Sequence, residues 1–115
     1  MKNPLTPAFP SFPLNYLSFF YQMALACKHD ITQAKVGLPY CAFNGGNDVW
    51  VDVGNKHLGV RSLQAFLKVE PKDTLHVGDQ FLSTGNDVST RQGCCTAWVS
   101  HPRETEDLLT LLLQS

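Results

Sequence analysis

From about residue 39 the chain alternates between two hydrophobic rhythms. "PYCAF" and "DVWVDV" are rich in strand-forming residues and flank "FNGGND", whose glycines permit positive φ. A strand, a turn and a second strand are expected there. In "GVRSLQAFLK", Val60, Leu63, Phe66 and Leu67 share one helical face. "TLHVGD" reads as a short buried strand carrying Leu75 and Val77, and "NDVSTRQ" as a brief helix capped by Ser83 or Asn86. "CTAWVS" reads as a further strand. "PRETEDLLTLLLQ" puts Pro102 in a first helical turn, with Glu104, Glu106 and Asp107 near the positive end of the helix dipole. The order strand, helix, strand, helix, strand, helix predicts an α/β fold built on a parallel, doubly wound sheet.

Residues 1–33 do not follow this rhythm. Pro4, Pro7, Pro10 and Pro13 crowd the start, and "FPLNYLSFFYQMALAC" is apolar but interrupted by Asn15 and Gln22. That run is too short and mixed for a membrane span, which needs roughly 20 apolar residues. Lys2, an apolar run and "ALAC" trace the outline of a secretory signal, against which the prolines count. The expectation is an irregular leader, or one wrongly joined to the gene, ahead of an organised unit over residues 34–115.

Bulk properties narrow the classes. A length of 115 residues allows one domain, and 43% hydrophobic residues suffice for a core. A net charge of −1 gives no electrostatic basis for binding nucleic acid or an anionic membrane. Cys27, Cys41, Cys94 and Cys95 lack the paired spacing of a zinc site, and the adjacent pair is a poor disulfide. A reducing, cytoplasmic setting follows.

Three stretches carry candidate chemistry. Ligands of open α/β sheets sit at the carboxyl ends of strands, where Asp79 falls; Asp87 returns after Gly85 and Asn86. Two carboxylates so placed suit magnesium, a hard cation that takes carboxylates, water and phosphate oxygens. The plainer reading is a strand end and a helix cap. In "DVWVDV", period two puts Asp48, Trp50 and Asp52 on one face and Val49, Val51 and Val53 on a core face. The indole could stack a base while a carboxylate accepts hydrogen bonds, or the face could simply be exposed with a packing tryptophan. Lys56, just before a helix, suits a phosphate partner or plain solvation.

In combination, a lysine opening a helix, a strand ending in Gly-Asp and a second Asp beyond a loop resemble the later motifs of the haloacid dehalogenase superfamily of phosphatases. "CAFNGGNDVWVDVGNKHLGV", "LHVGDQFLSTGNDVSTR" and "TAWVSHPRETEDLL" are similar to the IMP-specific 5′-nucleotidase family, over about residues 34 to 115. The resemblance implies an incomplete haloacid dehalogenase-like, Rossmannoid core. It also implies Mg2+-dependent hydrolysis of inosine monophosphate to inosine and phosphate, within purine salvage. On this transfer Lys56 steadies phosphate charge, Asp48, Trp50 and Asp52 join Lys56 in holding substrate, and Asp79 and Asp87 serve the metal. The implied partner is IMP, not nucleic acid or membrane, with a homo-oligomer as an option for the intact family protein.

One part is missing. The superfamily begins its chemistry with an Asp-x-Asp motif, in which the first carboxylate attacks phosphorus and the second acts as acid and base. Aspartates here stand at 30, 48, 52, 73, 79, 87 and 107, and no two are separated by a single residue. The chain is therefore expected to be a fragment, the carboxyl part of a nucleotidase, without turnover of its own. The alternative is a non-catalytic α/β module that binds a nucleotide or a protein through its Asp-Trp-Asp face.

Overall fold

A computed structural model describes residues 14–115. The order is α1 (Leu14–Gln33), β1 (Tyr40–Asn44), β2 (Val49–Val53), α2 (Lys56–Leu67), β3 (Leu75–Gly78), β4 (Cys95–Trp98) and α3 (Pro102–Leu113). Short 3₁₀ turns at Pro71–Asp73 and Val88–Gln92 flank the β3 region. The chain is an α/β protein.

The expected hairpin forms. β1 and β2 pair antiparallel, with Ala42 opposite Val51 and Phe43 opposite Trp50. Its turn is closed by the Gly45 amide on the Asp48 carbonyl at 2.9 Å and the Gly46 amide on Asn44 Oδ1 at 2.8 Å. Gly46 has φ +97°, a region that L side chains avoid.

Local signals also set the helix ends. Asn55 caps α2, its side chain accepting from the Leu58 amide at 2.8 Å, so the helix starts at Lys56, four residues before Val60 opens the apolar spacing. Lys68 ends it in the left-handed region at φ 56°, its N–H on the Gln64 carbonyl. His101 caps α3, with Pro102 in the first turn. Glu104 reaches back to the Ser100 amide at 2.7 Å and its hydroxyl at 2.9 Å. Those hydrogen bonds hold the Glu104 carboxyl below the ordinary range for glutamate.

Four expectations need correction. First, the described residues form no single doubly wound sheet: β1–β2 and β3–β4 are separate two-stranded sheets, and only the second is parallel. The alternation of strands and helices misleads because the Gly45–Gly46 turn pairs β2 with β1. Second, the valine face of β2 is not a core face. Val51 and Val53 are exposed, as are Leu63, Phe66 and Leu67 on α2 and Leu75 on β3. Third, residues 14–33 are helical rather than irregular, and residues 1–13 of the expected leader lie outside the described residues. Helix α1 packs on the hairpin; Tyr40 donates its hydroxyl to the Lys28 carbonyl at 3.2 Å and shares a hydrogen bond with Thr32 at 2.9 Å. Fourth, neither Ser83 nor Asn86 caps the turn after the loop. Asp87 takes that position, and its side chain points elsewhere.

The most enclosed part of the chain is polar. Among the described residues the buried apolar side chains are Ala24, Ala42 and Phe81, whereas Gln64, Thr84, Asp87 and Thr90 are buried too. Buried polar groups are tolerated only when hydrogen-bonded. Gln64 meets that condition through Thr74 Oγ1 at 3.1 Å and the Gly93 carbonyl at 3.0 Å. The burial therefore centres on the loop between β3 and β4, and that loop carries the candidate site.

Candidate functional site

Residues 79–87 leave the carboxyl end of β3 and fold back on themselves. The Asp87 amide bonds the Gln80 carbonyl at 3.0 Å and the Gly85 amide the Leu82 carbonyl at 2.8 Å. A Cβ at Gly85 would sit 2.1 Å from the Gln80 carbonyl oxygen, so the backbone can close there only without a side chain. Two outside contacts fix the tip: the Asn44 amide on the Thr84 carbonyl at 2.8 Å, and Lys28 Nζ of α1 on the Ser83 carbonyl.

This fold turns the Asp87 carboxylate inward, leaving it 1% exposed. Oδ1 accepts from Lys56 Nζ at 2.6 Å and His76 Nε2 at 2.9 Å. Oδ2 accepts from the backbone amides of Asp79 at 3.1 Å and Gln80 at 2.9 Å. Burial would raise the Asp87 pKa, but the hydrogen bonds from Lys56, His76 and the Gln80 amide outweigh it and hold the carboxyl below its ordinary value. The group stays ionised at neutral pH, and four donors fill the roughly four acceptor positions of its two oxygens.

Gly78 makes this possible. A Cβ there would lie 2.4 Å from Asp87 Cγ, inside the carboxylate's space. Asp79, one residue on, is exposed, and its carbonyl accepts from Trp98 Nε1 at 3.1 Å. A cleft of about 340 Å³ opens beside it, bounded by Asp79, Val99, His101 and Thr105 at the ends of β3 and β4 and the start of α3.

Three of the expected site residues thus converge: Lys56, Asp79 and Asp87 meet at the carboxyl end of a parallel strand pair. The other three form a separate patch on the hairpin. Trp50 Nε1 donates to Asp48 Oδ1 at 2.9 Å, Asp52 Oδ1 accepts from the Val53 amide at 2.7 Å, and Trp50 is 55% exposed. No hydrogen bond or ion pair among the described residues joins this patch to Lys56, Asp79 or Asp87. Gly45 leaves room for it, since a Cβ would meet Asp48 Oδ1 at 2.2 Å.

No group of three metal-ligating side chains gathers among the described residues. The exposed Asp79 carboxylate is an oxygen donor of the kind a hard cation takes. Both Asp87 oxygens already hold donors, so Asp79 is the carboxylate left to face an ion.

Sequence reasoning missed His76 and Phe81. Strand alternation in "LHVG" could have flagged the first, because it puts His76 on the Gly78 face. Nothing in the sequence marks Phe81, whose burial comes from His76, Trp98 and Arg91 around it.

The fold and rim define an α/β protein whose site sits at the carboxyl end of parallel strands and pairs a fixed lysine with acidic loop residues. The family model for IMP-specific 5′-nucleotidase matches residues 19–109, and the chain belongs to that family. IMP-specific 5′-nucleotidase 1 of Plasmodium falciparum is 48% identical over 92 residues, which cover 80% of this chain and 21% of the relative. The Saccharomyces cerevisiae enzyme of the same name is 46% identical over 84 residues, covering 68% and 19%. A solved mutant of the P. falciparum IMP-nucleotidase with IMP bound superposes with a TM-score of 0.82 at 45% identity, over 85% of this chain and 26% of that one. An amino-terminally truncated, IMP-bound form gives 0.77 at 47% identity, over 81% and 25%. The chain spans about a fifth of the length of the curated relatives. The match begins at residue 19, so most of α1 belongs to the family region and not to a foreign leader.

Proposed function

We propose that this chain supplies the phosphate- and metal-facing rim of an IMP 5′-nucleotidase, an enzyme that hydrolyses inosine monophosphate to inosine and phosphate in purine nucleotide salvage. The observation that carries the reading is Lys56, opening α2 and held at 2.6 Å by a buried carboxylate that also accepts from the Asp79 amide. Such a lysine is pre-oriented toward an oxyanion, so little reorganisation is needed when phosphate arrives. We extend the reading to a haloacid dehalogenase-like core, which the parallel β3–β4 pair with Asp79 at its carboxyl end supports.

The family resemblance and this geometry together support the following roles. Lys56 contacts the phosphate and balances its charge. Asp79 holds Mg2+, and Asp87 stands behind both, fixing the lysine through Oδ1 and the loop through Oδ2. When bound, the ion supplies further positive charge at the phosphate oxygens. Trp50, with Asp48 on its indole N–H, offers a flat face for the purine, and Asp52 lies one strand step further. The sequence holds no Asp-x-Asp pair to supply the attacking carboxylate, so we read this chain by itself as binding without turnover. A cytoplasmic location is the reading that four unpaired cysteines support. No described helix is long and apolar enough to cross a membrane.

The test is calorimetric titration of the chain with IMP in the presence of Mg2+. Lys56→Ala and Asp79→Ala are each expected to weaken binding about tenfold, the scale of one charge-assisted contact. Equal affinity in parent and variants would sink the reading.

A further inference from the structure

On the face of β3 that meets the loop, period two places His76 and Gly78 side by side. Gly78 provides the space for the Asp87 carboxylate, and His76 provides a nitrogen 2.9 Å from its Oδ1. An ionised carboxylate only accepts, so His76 Nε2 carries the hydrogen. The same oxygen receives Lys56 Nζ. The imidazole is itself held: its ring stands edge-on to Phe81 with centroids 6.0 Å apart, and the Arg91 guanidinium lies 4.9 Å from the Phe81 centroid. Phe81 is 5% exposed and also meets Trp98 at 6.1 Å.

We propose that His76 is a positioning residue for the phosphate lysine: by donating from Nε2 it locks the Asp87 carboxylate in the one orientation that also seats Lys56. The carboxylate is rigid, and the two amides on Oδ2 come from residues 79 and 80 of its own loop, so they set its orientation relative to that loop alone. His76 stands on β3, braced on the enclosed Phe81, and ties Oδ1 to the strand. With His76 gone, Lys56 keeps a partner but loses a fixed one. The role rests on Lys56 being the phosphate contact proposed above.

The experiment is NMR of the 115-residue chain labelled with 15N-lysine, reading solvent exchange of the Lys56 ammonium hydrogens. The variants are His76→Phe, which keeps the contact to Phe81 without the donor, and His76→Gln, whose amide restores an N–H at similar reach. Asp87→Asn marks the fully released lysine. In His76→Phe the exchange is expected to quicken about tenfold, the size of one charge-assisted hydrogen bond. IMP binding is expected to weaken by the same factor, and His76→Gln should recover both. In a second, uniformly 15N-labelled sample the Asp79 and Gln80 amide signals report that the loop is still folded. Should the phenylalanine variant unfold, His76→Asn, whose amide is too short to reach Asp87, takes its place. Exchange in the donor-free variant that matches the parent, with the loop amides in position, would overturn the proposal. A parent chain that fails to bind IMP would count against the nucleotidase reading instead, and the exchange result would still decide the role of His76.

Discussion

At the scale of single residues, Asp87 is where the local fold and the site chemistry meet. It joins α2, β3 and the loop by four hydrogen bonds, and hydrogen bonds to a charged group are each worth about 1.5–3 kcal/mol when buried. Asp87→Asn keeps the shape but loses the charge, and is expected to cost about 2 kcal/mol in urea denaturation. The sign of the pH effect follows from the lowered carboxyl. The folded pKa lies below the unfolded one of about 3.9, so the contribution is complete above that value and lost as pH falls through the folded pKa. Acid titration monitored by circular dichroism should show this loss below about pH 4 in the parent and a flatter curve in Asp87→Asn. Gly78→Ala tests the same seat sterically. The added methyl group would displace the carboxylate, and a loss of about 1–3 kcal/mol is expected, with Lys56 released.

At the scale of elements, α2 carries the lysine, and its start decides where the ammonium points. The Asn55 cap stops the helix one residue before Lys56, leaving the side chain in the first turn, where it reaches across to Asp87. Asn55→Ala removes the acceptor for the Leu58 amide and should cost about 1 kcal/mol, read from thermal unfolding. It should also weaken phosphate binding by blurring the helix start. At the other end Lys68 sits at φ 56°, which costs an L residue about 1 kcal/mol. Lys68→Gly is expected to raise stability by a few tenths of a kcal/mol, because the relieved strain exceeds the extra chain entropy only slightly. The apolar spacing on α2 does form a face, but Phe66 is 82% exposed on it. The helix is amphipathic in pattern and unpartnered in this chain.

At the scale of the whole molecule, the described chain measures 61 × 36 × 15 Å, a slab about one helix and one sheet thick. Such a thin body buries little, and Val51, Val53, Leu63, Phe66 and Leu67 are left in solvent. Exposed apolar patches of this kind bind hydrophobic dyes. The chain should enhance the fluorescence of such a dye, and Leu63→Gln combined with Phe66→Glu should reduce that signal while helical circular dichroism persists. The activity prediction belongs here as well. With Mg2+ and IMP the purified chain is expected to release no phosphate above background in a colorimetric assay, since its sequence holds no Asp-x-Asp pair to supply the attacking carboxylate. Phosphate release that both Lys56→Ala and Asp79→Ala abolish would show a complete catalytic set after all.

Much of this was written in local sequence. The Gly45–Gly46 turn, the Asn55 and His101 caps and Pro102 fix elements through contacts within a few residues, so strand and helix positions over 40–113 were legible. The Gly-Asp at the end of β3 and the lysine opening α2 were legible for the same reason, since each depends on a neighbouring strand or helix end. Pairing was not. Alternation cannot say whether β2 joins its sequence neighbour or a parallel sheet, and the valine pattern gave no sign that its face would stay uncovered. α1 was hidden because prolines before residue 14 masked a helix whose partners, the hairpin and Ser83, lie far along the chain. The tertiary structure also changed what Asp87 does. Spacing made it one of two equivalent carboxylates, but burial against Lys56, His76 and two amides separates them, since only the tertiary packing decides which oxygens are filled by donors.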